Sequence, residues 1–429
     1  MKQFFCIFLF TILFGGVLSA QSYLAFPVGE SWRFPDARTL GLAGAGSVSN
    51  SSAGALLLNP AAMAANEPGI HANANLRARS LEERRAFPVF DRFNDINSFG
   101  IYAVNDNWFA NLQGSVQYNP DLASVPFLKS VAIGVFEETD LNYDYEEEVR
   151  ENIFPDDPMA INRIKFDGRL MRYSFGAAFN VFQPLNVGFQ LGMIRGDIMQ
   201  ERSVTFIDDD TNNQAVMSNR ELSNSPLVAS VGATYQINPH TQLGGHLQLP
   251  YSAEYGVSFP VVTGNIVDAL PGSETIEYPM QATLGFEYRA QQIVQARLNV
   301  DVSYEWWSQT DQQLLYDNSD IANGLDDVLK IATGIEHIFF NQVPFRVGIQ
   351  YRTSFLERTN ARVMFAAGTG FHGKFWEVDL SAGFSRLDYR HSDLFADELF
   401  GGSRTGTAAI DNVSESYFFG IANVRFFKK

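Results

Sequence analysis

The chain is sparing with side chains that do covalent or acid–base chemistry. Its six histidines, His71, His240, His246, His337, His372 and His391, fall at no spacing that would bring two onto one metal ion. No His-Glu-x-x-His, Gly-x-Ser-x-Gly or Gly-x-x-x-x-Gly-Lys-Ser/Thr occurs, so no zinc hydrolase, nucleophile elbow or phosphate loop is written in a motif. Asp208-x-Asp210-x-Asn212 begins like a calcium loop but has no glycine at the sixth position and no bidentate glutamate in register. What remains is electrostatic. Arg172, Arg289, Arg346 and Arg352 sit among alternating apolar residues, where a cation can receive a carboxylate that would otherwise be buried unpaired or forced to protonate. The same arginines can instead pair with Glu287, Asp301 or Glu305. No catalytic residue, cofactor or metal is expected, and the chain is read as a non-enzyme.

The segments that carry these charges have a period of two. Met171, Tyr173, Phe175, Ala177 and Phe179 share one face, against Arg172, Ser174, Gly176, Ala178 and Asn180. Leu298, Val300, Val302, Tyr304 and Trp306 likewise oppose Asn299, Asp301, Ser303 and Glu305. Trp376, Val378, Leu380, Ala382 and Phe384 oppose Glu377, Asp379, Ser381 and Gly383. These are strands with one oily and one polar face.

Residues 1–20, MKQFFCIFLFTILFGGVLSA, combine Lys2, an apolar stretch from Phe4 to Phe14 and a small-residue ending, Leu18-Ser19-Ala20. That is a secretory signal with cleavage expected before Gln21. Cys6, the chain's one cysteine, goes with it, so the exported chain must be held by packing or lipid rather than disulfides. Beyond it no run approaches the roughly 18 apolar residues of a spanning helix, although 46% of the residues are hydrophobic and 37 are phenylalanine. A membrane, if crossed, is crossed by strands. The net charge of −17 argues against nucleic acid as a partner. It is concentrated in solvated clusters such as Asp144-Tyr145-Glu146-Glu147-Glu148, Asp156-Asp157, Asp208-Asp209-Asp210 and Asp326-Asp327.

Alternating segments of 12 to 20 residues exceed the five or six usual in soluble sheets. Tight turns fit at 183–186, 238–241, 290–292, 341–344 and 371–374, and long polar loops at about 145–163, 207–223, 260–276, 309–326 and 391–412. Short turns on one side and long loops on the other are the pattern of outer-membrane barrels. Reading 80–107 as one outer excursion makes the strand count even. The expectation is an all-β transmembrane antiparallel barrel of about fourteen strands over 69–429, multi-pass in the bacterial outer membrane, preceded by a hatch over 21–68 that plugs its lumen.

Three stretches carry a resemblance. ARTLGLAGAGSVSNSSAGALLLNPAAMA, residues 37–64, with its small-residue run and Asn59-Pro60-Ala61, resembles the N-terminal hatch of outer-membrane long-chain fatty acid transporters, the FadL family, which includes aromatic hydrocarbon transporters. YPMQATLGFEYRAQQIVQARLNVDVSYEWWSQ, residues 278–309, resembles a strand pair of that family closing in Asp301, Tyr304, Trp307 and Ser308. QLGGHLQLPYSAEYGVSF, 242–259, is similar to the strand before it. Three departures stand out: Ser51-Ser52 where an acidic residue is usual, Ala62 for a glycine, and Lys428-Lys429 after the terminal aromatic.

The resemblance implies passive uptake of a hydrophobic small molecule, a long-chain fatty acid or hydrocarbon, with lateral release through the wall where a strand kinks inward. Pro120 and Pro126, between the second and third strands, are the expected kink sites. Ligand contact is expected from Leu56, Leu57, Leu58 and Met63 of the hatch, from Phe87, Phe90 and Phe93, and from Arg346 and Arg352 for a head group. Outer-membrane lipid and lipopolysaccharide would surround the barrel. The resemblance also allows a second role, that of PorV-type barrels, which shuttle or scaffold a secreted protein partner.

Overall fold

A strand that alternates oily and polar side chains must give one face to an apolar medium, and the simplest way to leave no unpaired edge is to close the sheet. The computed structural model does this. It describes residues 21–48, 52–93, 95–121, 125–150, 157–208, 212–258, 261–263, 265–267, 272–290, 295–315, 324–339, 343–402, 404 and 406–428. The barrel strands are β1 (Gly69–Phe90), β2 (Ile96–Asn119), β3 (Leu128–Asp140), β5 (Pro158–Phe182), β6 (Leu185–Arg195), β9 (Leu227–Asn238) and β10 (Thr241–Gln248). They continue as β15 (Gln281–Ala290), β16 (Gln295–Glu305), β17 (Val328–Ile338), β18 (Pro344–Arg352), β19 (Arg362–His372), β20 (Trp376–Ser392) and β21 (Ile410–Lys428). Each pairs antiparallel with the next, and β21 pairs back on β1 from Ile70 opposite Lys428 to Ala86 opposite Asn412, closing a barrel of 14 strands.

The alternation is resolved as expected. Tyr173, Phe175, Leu284, Val302, Phe365, Leu380 and Phe384 are exposed on the outside, whereas Arg172, Asn299, Asp301, Ser303, Asp379 and Ser381 are buried inside. An oily exterior around a polar interior fits a bilayer and not water. At the short-turn end, exposed Tyr235, Tyr288, Phe371, Trp376 and Phe426 form the aromatic girdle of a membrane interface. Among the described residues no helix is long and apolar enough to cross a membrane; the strands cross it. The barrel is therefore an outer-membrane one.

The short turns at 183–184, 239–240 and 373–375 lie where expected, those expected at 290–292 and 341–344 fall largely outside the described residues, and the described parts of the long connections lie at the opposite end. One expectation changes in form. Residues 80–107 are not an irregular excursion: β1 and β2 run on past the membrane as one hairpin, paired from Gly69 opposite Asn119 to Phe90 opposite Ile96. Above the bilayer the long connections build a second sheet from β4 (Tyr143–Arg150), the first half of β5, β7 (Asp197–Phe206), β8 (Gln214–Leu222), β11 (Tyr251–Ser258) and β14 (Gly272–Tyr278). The small hairpin of β12 (Val261–Thr263) and β13 (Asn265–Val267) adds to β8. This crown buries Tyr143, Tyr145, Phe166, Tyr251, Tyr255 and Tyr278 in one apolar cluster with Trp307 and Phe355.

Residues 21–68 run inside the barrel as short helical pieces. Asp36 caps the helix Ala37–Gly41 by accepting from Thr39 N (2.7 Å). Helix Ala55–Leu58 follows, and then Asn59 caps the 3-10 helix Pro60–Ala65 by accepting from Ala61 N (3.1 Å), with Pro60 in the first position, where no N–H is needed. This explains why Asn-Pro follows three leucines: it ends one helical turn and starts another. The segment touches the wall where the wall has no side chain. A Cβ on Gly232 would overlap Asn59 Oδ1, and one on Gly348 would overlap the Leu42 carbonyl carbon. The barrel glycines are therefore a fitted groove for this segment.

Candidate functional site

The ladder between β2 and β3 is short, running only from Gly114 opposite Val135 to Tyr118 opposite Val131. Beyond Val135, β3 stays on β5, reaching Asp140 opposite Arg169, with register shifts between Leu128 and Ser130 and between Glu137 and Thr139. It leaves β2 and turns into the barrel. Phe136, Glu137, Glu138, Thr139 and Asp140 are all buried, so the in-and-out alternation stops there. Contact with β2 resumes higher up through side chains: Asn107 Nδ2 donates to Asp144 O (2.6 Å) and Glu146 N to Asn105 Oδ1 (2.9 Å).

The turn has a physical cause. Adjacent residues of a wall strand point to opposite sides, so with Glu137 and Glu138 in the wall one carboxylate would face lipid, at high cost. Turning inward gives both of them arginines. Glu137 accepts from Arg77 (3.1 Å), Arg79 (3.3 Å) and Asn111, and Arg79 also pairs with Asp140. Glu138 accepts from Arg33 (3.1 Å), Arg172 and Tyr251 Oη (3.2 Å). Gln248 joins Arg33 (3.0 Å) and Arg172 (2.9 Å) beneath it. Four guanidinium groups thus hold two neighbouring carboxylates.

The N-terminal segment completes the kink. Glu30 N donates to Asp140 O (3.1 Å) and Asp140 N to Glu30 O (3.0 Å), so the segment supplies two ladder bonds to β3. Gly29, at φ 82°, lies against Thr139 and Leu141 so closely that a Cβ would overlap Thr139 Cγ2; only glycine satisfies both the left-handed backbone and the contact. Arg77 reaches the Trp32 carbonyl (3.1 Å).

Beside the end of the β2–β3 ladder the wall carries an open groove of about 930 Å³. Its lining includes Leu112, Val116, Ile133, Tyr173, Phe175 and Leu191, all exposed on the lipid side, together with the inward-facing Gln113, Ser115 and Ser174.

The residues singled out from sequence are dispersed over the structure. Leu56, Leu57 and Met63 are buried in one cluster with Ala132 and Phe136 of β3 and Ala178 of β5, directly behind the kink; each such side chain contributes about 1.5–3 kcal/mol by burial. Leu57 and Leu58 border a smaller polar cavity, about 40 Å³, shared with His246, Lys330 and Arg352. Asn59, Pro60 and Ala61 form the helix start already described. Phe87, Phe90 and Phe93 are not brought to this place. Phe87 packs on Tyr102 under the Arg404 guanidinium, and Phe93, 79% exposed, is at the tip of the β1–β2 hairpin. Arg346 pairs with Glu336 (2.7 Å) and Asp379 (2.7 Å), and Glu336 also receives Arg38 of the N-terminal segment (2.9 Å). Arg352 pairs with Glu305 (3.4 Å).

Asp301, the first residue of the Asp301–Ser308 resemblance, accepts from Gly46 N, Ser47 N and Ser47 Oγ, all at 2.9 Å, and so ties the segment to the wall. Sequence reading missed Glu137, Glu138, Arg77 and Arg79. The departure lies within β3, past Val135, and not at Pro120 or Pro126, which flank the turn before it. The signal was available: two adjacent acids inside a membrane strand cannot both avoid lipid.

No family model and no curated protein matches this chain. Solved structures do. A Pseudomonas aeruginosa FadL homologue superposes with a TM-score of 0.65 at 12% identity, covering 93% of this chain and 99% of that one. The Pseudomonas putida toluene transporter TodX gives 0.63 at 14% identity, over 92% and 98%. The Ralstonia pickettii toluene transporter TbuX gives 0.58 at 16%, over 92% and 98%. The fold is that of the FadL-type channels. The likeness covers more than nine-tenths of the chain at identities of 12–16%.

Proposed function

We propose that the protein is a passive outer-membrane uptake channel for hydrophobic small molecules and releases them sideways into the bilayer between β2 and β3. The observation that carries this reading is the apolar groove in the wall beside the broken β2–β3 ladder. A water-filled pore would let small solutes through and give an oily molecule no advantage, whereas a groove lined by lipid-facing Ile133, Phe175 and Leu191 next to that break offers such a molecule an apolar surface towards the bilayer. Two of the solved structures with this fold are named for toluene transport, which supports a hydrocarbon or a similarly apolar cargo here.

In this reading residues 21–68 are the hatch. They are joined to the kink at Glu30, Arg33 and Leu56, so a displacement of the hatch pulls on β3 itself. Leu56, Leu57 and Met63, behind Phe136, are the apolar contacts of the exit path, and Arg352, which pairs with Glu305 at the small polar cavity, would have to exchange that partner to receive a polar head group. The test is purification in mild detergent followed by mass spectrometry of co-purified apolar molecules, with Leu57→Asp as control. Stoichiometric hydrocarbon or fatty acid in the wild type, lost in the variant, is expected. An empty barrel that carries a secreted protein instead would overturn the reading.

A further inference from the structure

The crown is crossed by a piece of chain that no strand ladder holds. β20 and β21 separate at Ser392 opposite Ile410, and the connection between them turns inward. Its Leu394 and Phe395 are 4% and 3% exposed and belong to the same apolar cluster as Tyr143, Phe166 and Tyr255. Both are seated on β7. Arg202 donates to the Leu394 carbonyl, its guanidinium lies 4.7 Å from the centroid of the Phe395 ring, and Phe400 packs on Phe206 (5.9 Å). Arg202 and Phe206 share a face of β7 with the buried Ile198 and Val204, so these contacts are made on the inside of the crown. Around the crown β1, β2, β4 and β5 stand between β21 and β7. Residues 393–402 therefore span the crown instead of following its rim.

One side chain fastens the crossing. Arg404 donates to Asp397 through Nε (2.8 Å) and Nη2 (2.9 Å), to Asp411 of β21 through Nη1 (3.5 Å), and to Asp393. Its guanidinium also lies 5.5 Å from the Phe87 ring of β1, and Asp411 accepts in turn from Tyr102 Oη of β2 (2.6 Å). Three carboxylates are thus gathered round one cation, and without it they would repel one another. The Arg404 side chain is 27% exposed, and ion pairs within reach of water are individually weak. What they hold down is apolar. Leu394 and Phe395 cover the oily interior of the crown, and another apolar group of similar size would gain as much by lying there. The guanidinium face that Phe395 fills would give an aromatic ring the same contact.

We propose that residues 393–402 are a strap over the outer mouth of the crown, latched by Arg404, and that an apolar molecule enters by taking the places of Leu394 and Phe395 beside Arg202. The entry route rests on the transport reading; the latch does not. The strap is weakly fastened where water reaches it and apolar where cargo would arrive, so a molecule that competes for the apolar seat has only exposed ion pairs to overcome.

The experiment uses the full-length protein in the outer membrane of intact cells. Arg404→Ala removes the latch, Phe395→Ser removes the seated ring and leaves the latch, and Asp388→Ala, on β20 outside the strap, is the control. Added chymotrypsin, which can cut after Phe400, reads release of the strap, and the initial uptake of radiolabelled toluene is measured against cells that lack the barrel. Resistance of the unheated barrel to dodecyl sulfate identifies a variant that fails to assemble, in which case the other variant carries the test. Both strap variants should be nicked within 393–402, and should take up toluene, several-fold faster than the wild type and the control. Nicking of Arg404→Ala at the wild-type rate overturns the latch. Faster nicking with unchanged or slower uptake overturns the entry route and leaves the transport reading standing. Uptake by no form above the baseline overturns the transport reading, and the entry route with it.

Discussion

The walls on the two sides of β2 are built differently. Towards β1 the ladder runs without a gap from the short-turn end to the tip of the hairpin, and β1 is as continuously joined to β21. Towards β3 it ends after Gly114 opposite Val135. In the continuous seam the alternation holds along the membrane part of β1: His71, Asn73, Asn75, Arg77 and Arg79 are buried, and the residues between them are not. In the broken seam it lapses at Phe136–Asp140, where charge takes over from the membrane as the organising influence. A barrel wall persists as long as every second residue can live in lipid. The first pair of neighbouring charges opens it, provided that the interior has counter-charges to receive them.

The largest effect should come from fixing the internal segment to the wall opposite the broken seam. The described residues contain no cysteine, so Ser47→Cys with Gly285→Cys, where a Cβ on Gly285 would overlap Ser47 Oγ, gives a clean pair. Oxidation should abolish uptake of a labelled hydrocarbon into cells and reductant restore it; uptake unaffected by the bridge would mean that the segment does not move.

Next, Glu137→Ala leaves Arg77 and Arg79 buried without their shared carboxylate and should cost about 3–5 kcal/mol. Asp388→Ala, which removes an exposed pair with Arg386 (2.9 Å) on β20, where the ladders on both sides are unbroken, should change stability by under about 1 kcal/mol. Urea unfolding in detergent micelles compares the two, and equal effects would erase the distinction between the seams.

Asp301→Asn keeps the shape but weakens three hydrogen bonds to Gly46 and Ser47. A loss of about 1.5–3 kcal/mol is expected, read as faster proteolysis of residues 37–58 with the barrel intact. No change in proteolysis would show that this tie does not hold the segment.

The smallest effect lies outside the membrane. Burial, and then the charge of Asp393, pushes the Glu147 carboxyl on β4 up to about 7, against the hydrogen bond it receives from Tyr145 Oη (2.9 Å). The folded hairpin then holds a proton that the unfolded chain releases nearer 4.5. Its stability is therefore full below that value and declines as pH rises through about 7. Proteolytic nicking of the β4–β5 hairpin should increase between about pH 5 and about pH 8. Glu147→Gln should flatten the curve, and a wild-type curve already flat would rule this group out.

Much of the barrel was legible because lipid imposes a simple rule on each residue separately. Tyr173 out and Arg172 in, or Leu380 out and Ser381 in, can be read with no knowledge of neighbours. The tight turn at Gln183-Pro184 and the long loop after Ser392 followed from local composition in the same way. The hatch motif was legible as a resemblance, and its local sense, a capped helix start at Asn59-Pro60, follows from residue chemistry. The tip region was harder. The alternation of β1 and β2 continues into water, where polar residues such as Glu82, Arg84 and Asp106 on the outward face disguise a strand as a loop. Phe87, Phe90 and Phe93 looked like ligand contacts because aromatic type is visible in a sequence and location is not.

The sequence by itself determined a closed antiparallel barrel with an oily exterior, because period-two alternation is a property of each strand alone. Only the tertiary structure decided where the β2–β3 ladder breaks and which charges hold β3 inward there. Arg33, Arg77, Arg79 and Arg172 come from the N-terminal segment and two different strands, and nothing in their spacing says that they converge on Glu137 and Glu138. Burying a carboxylate is permitted only when its counter-charges arrive together, and their arrival is a property of the closed barrel and not of any one segment.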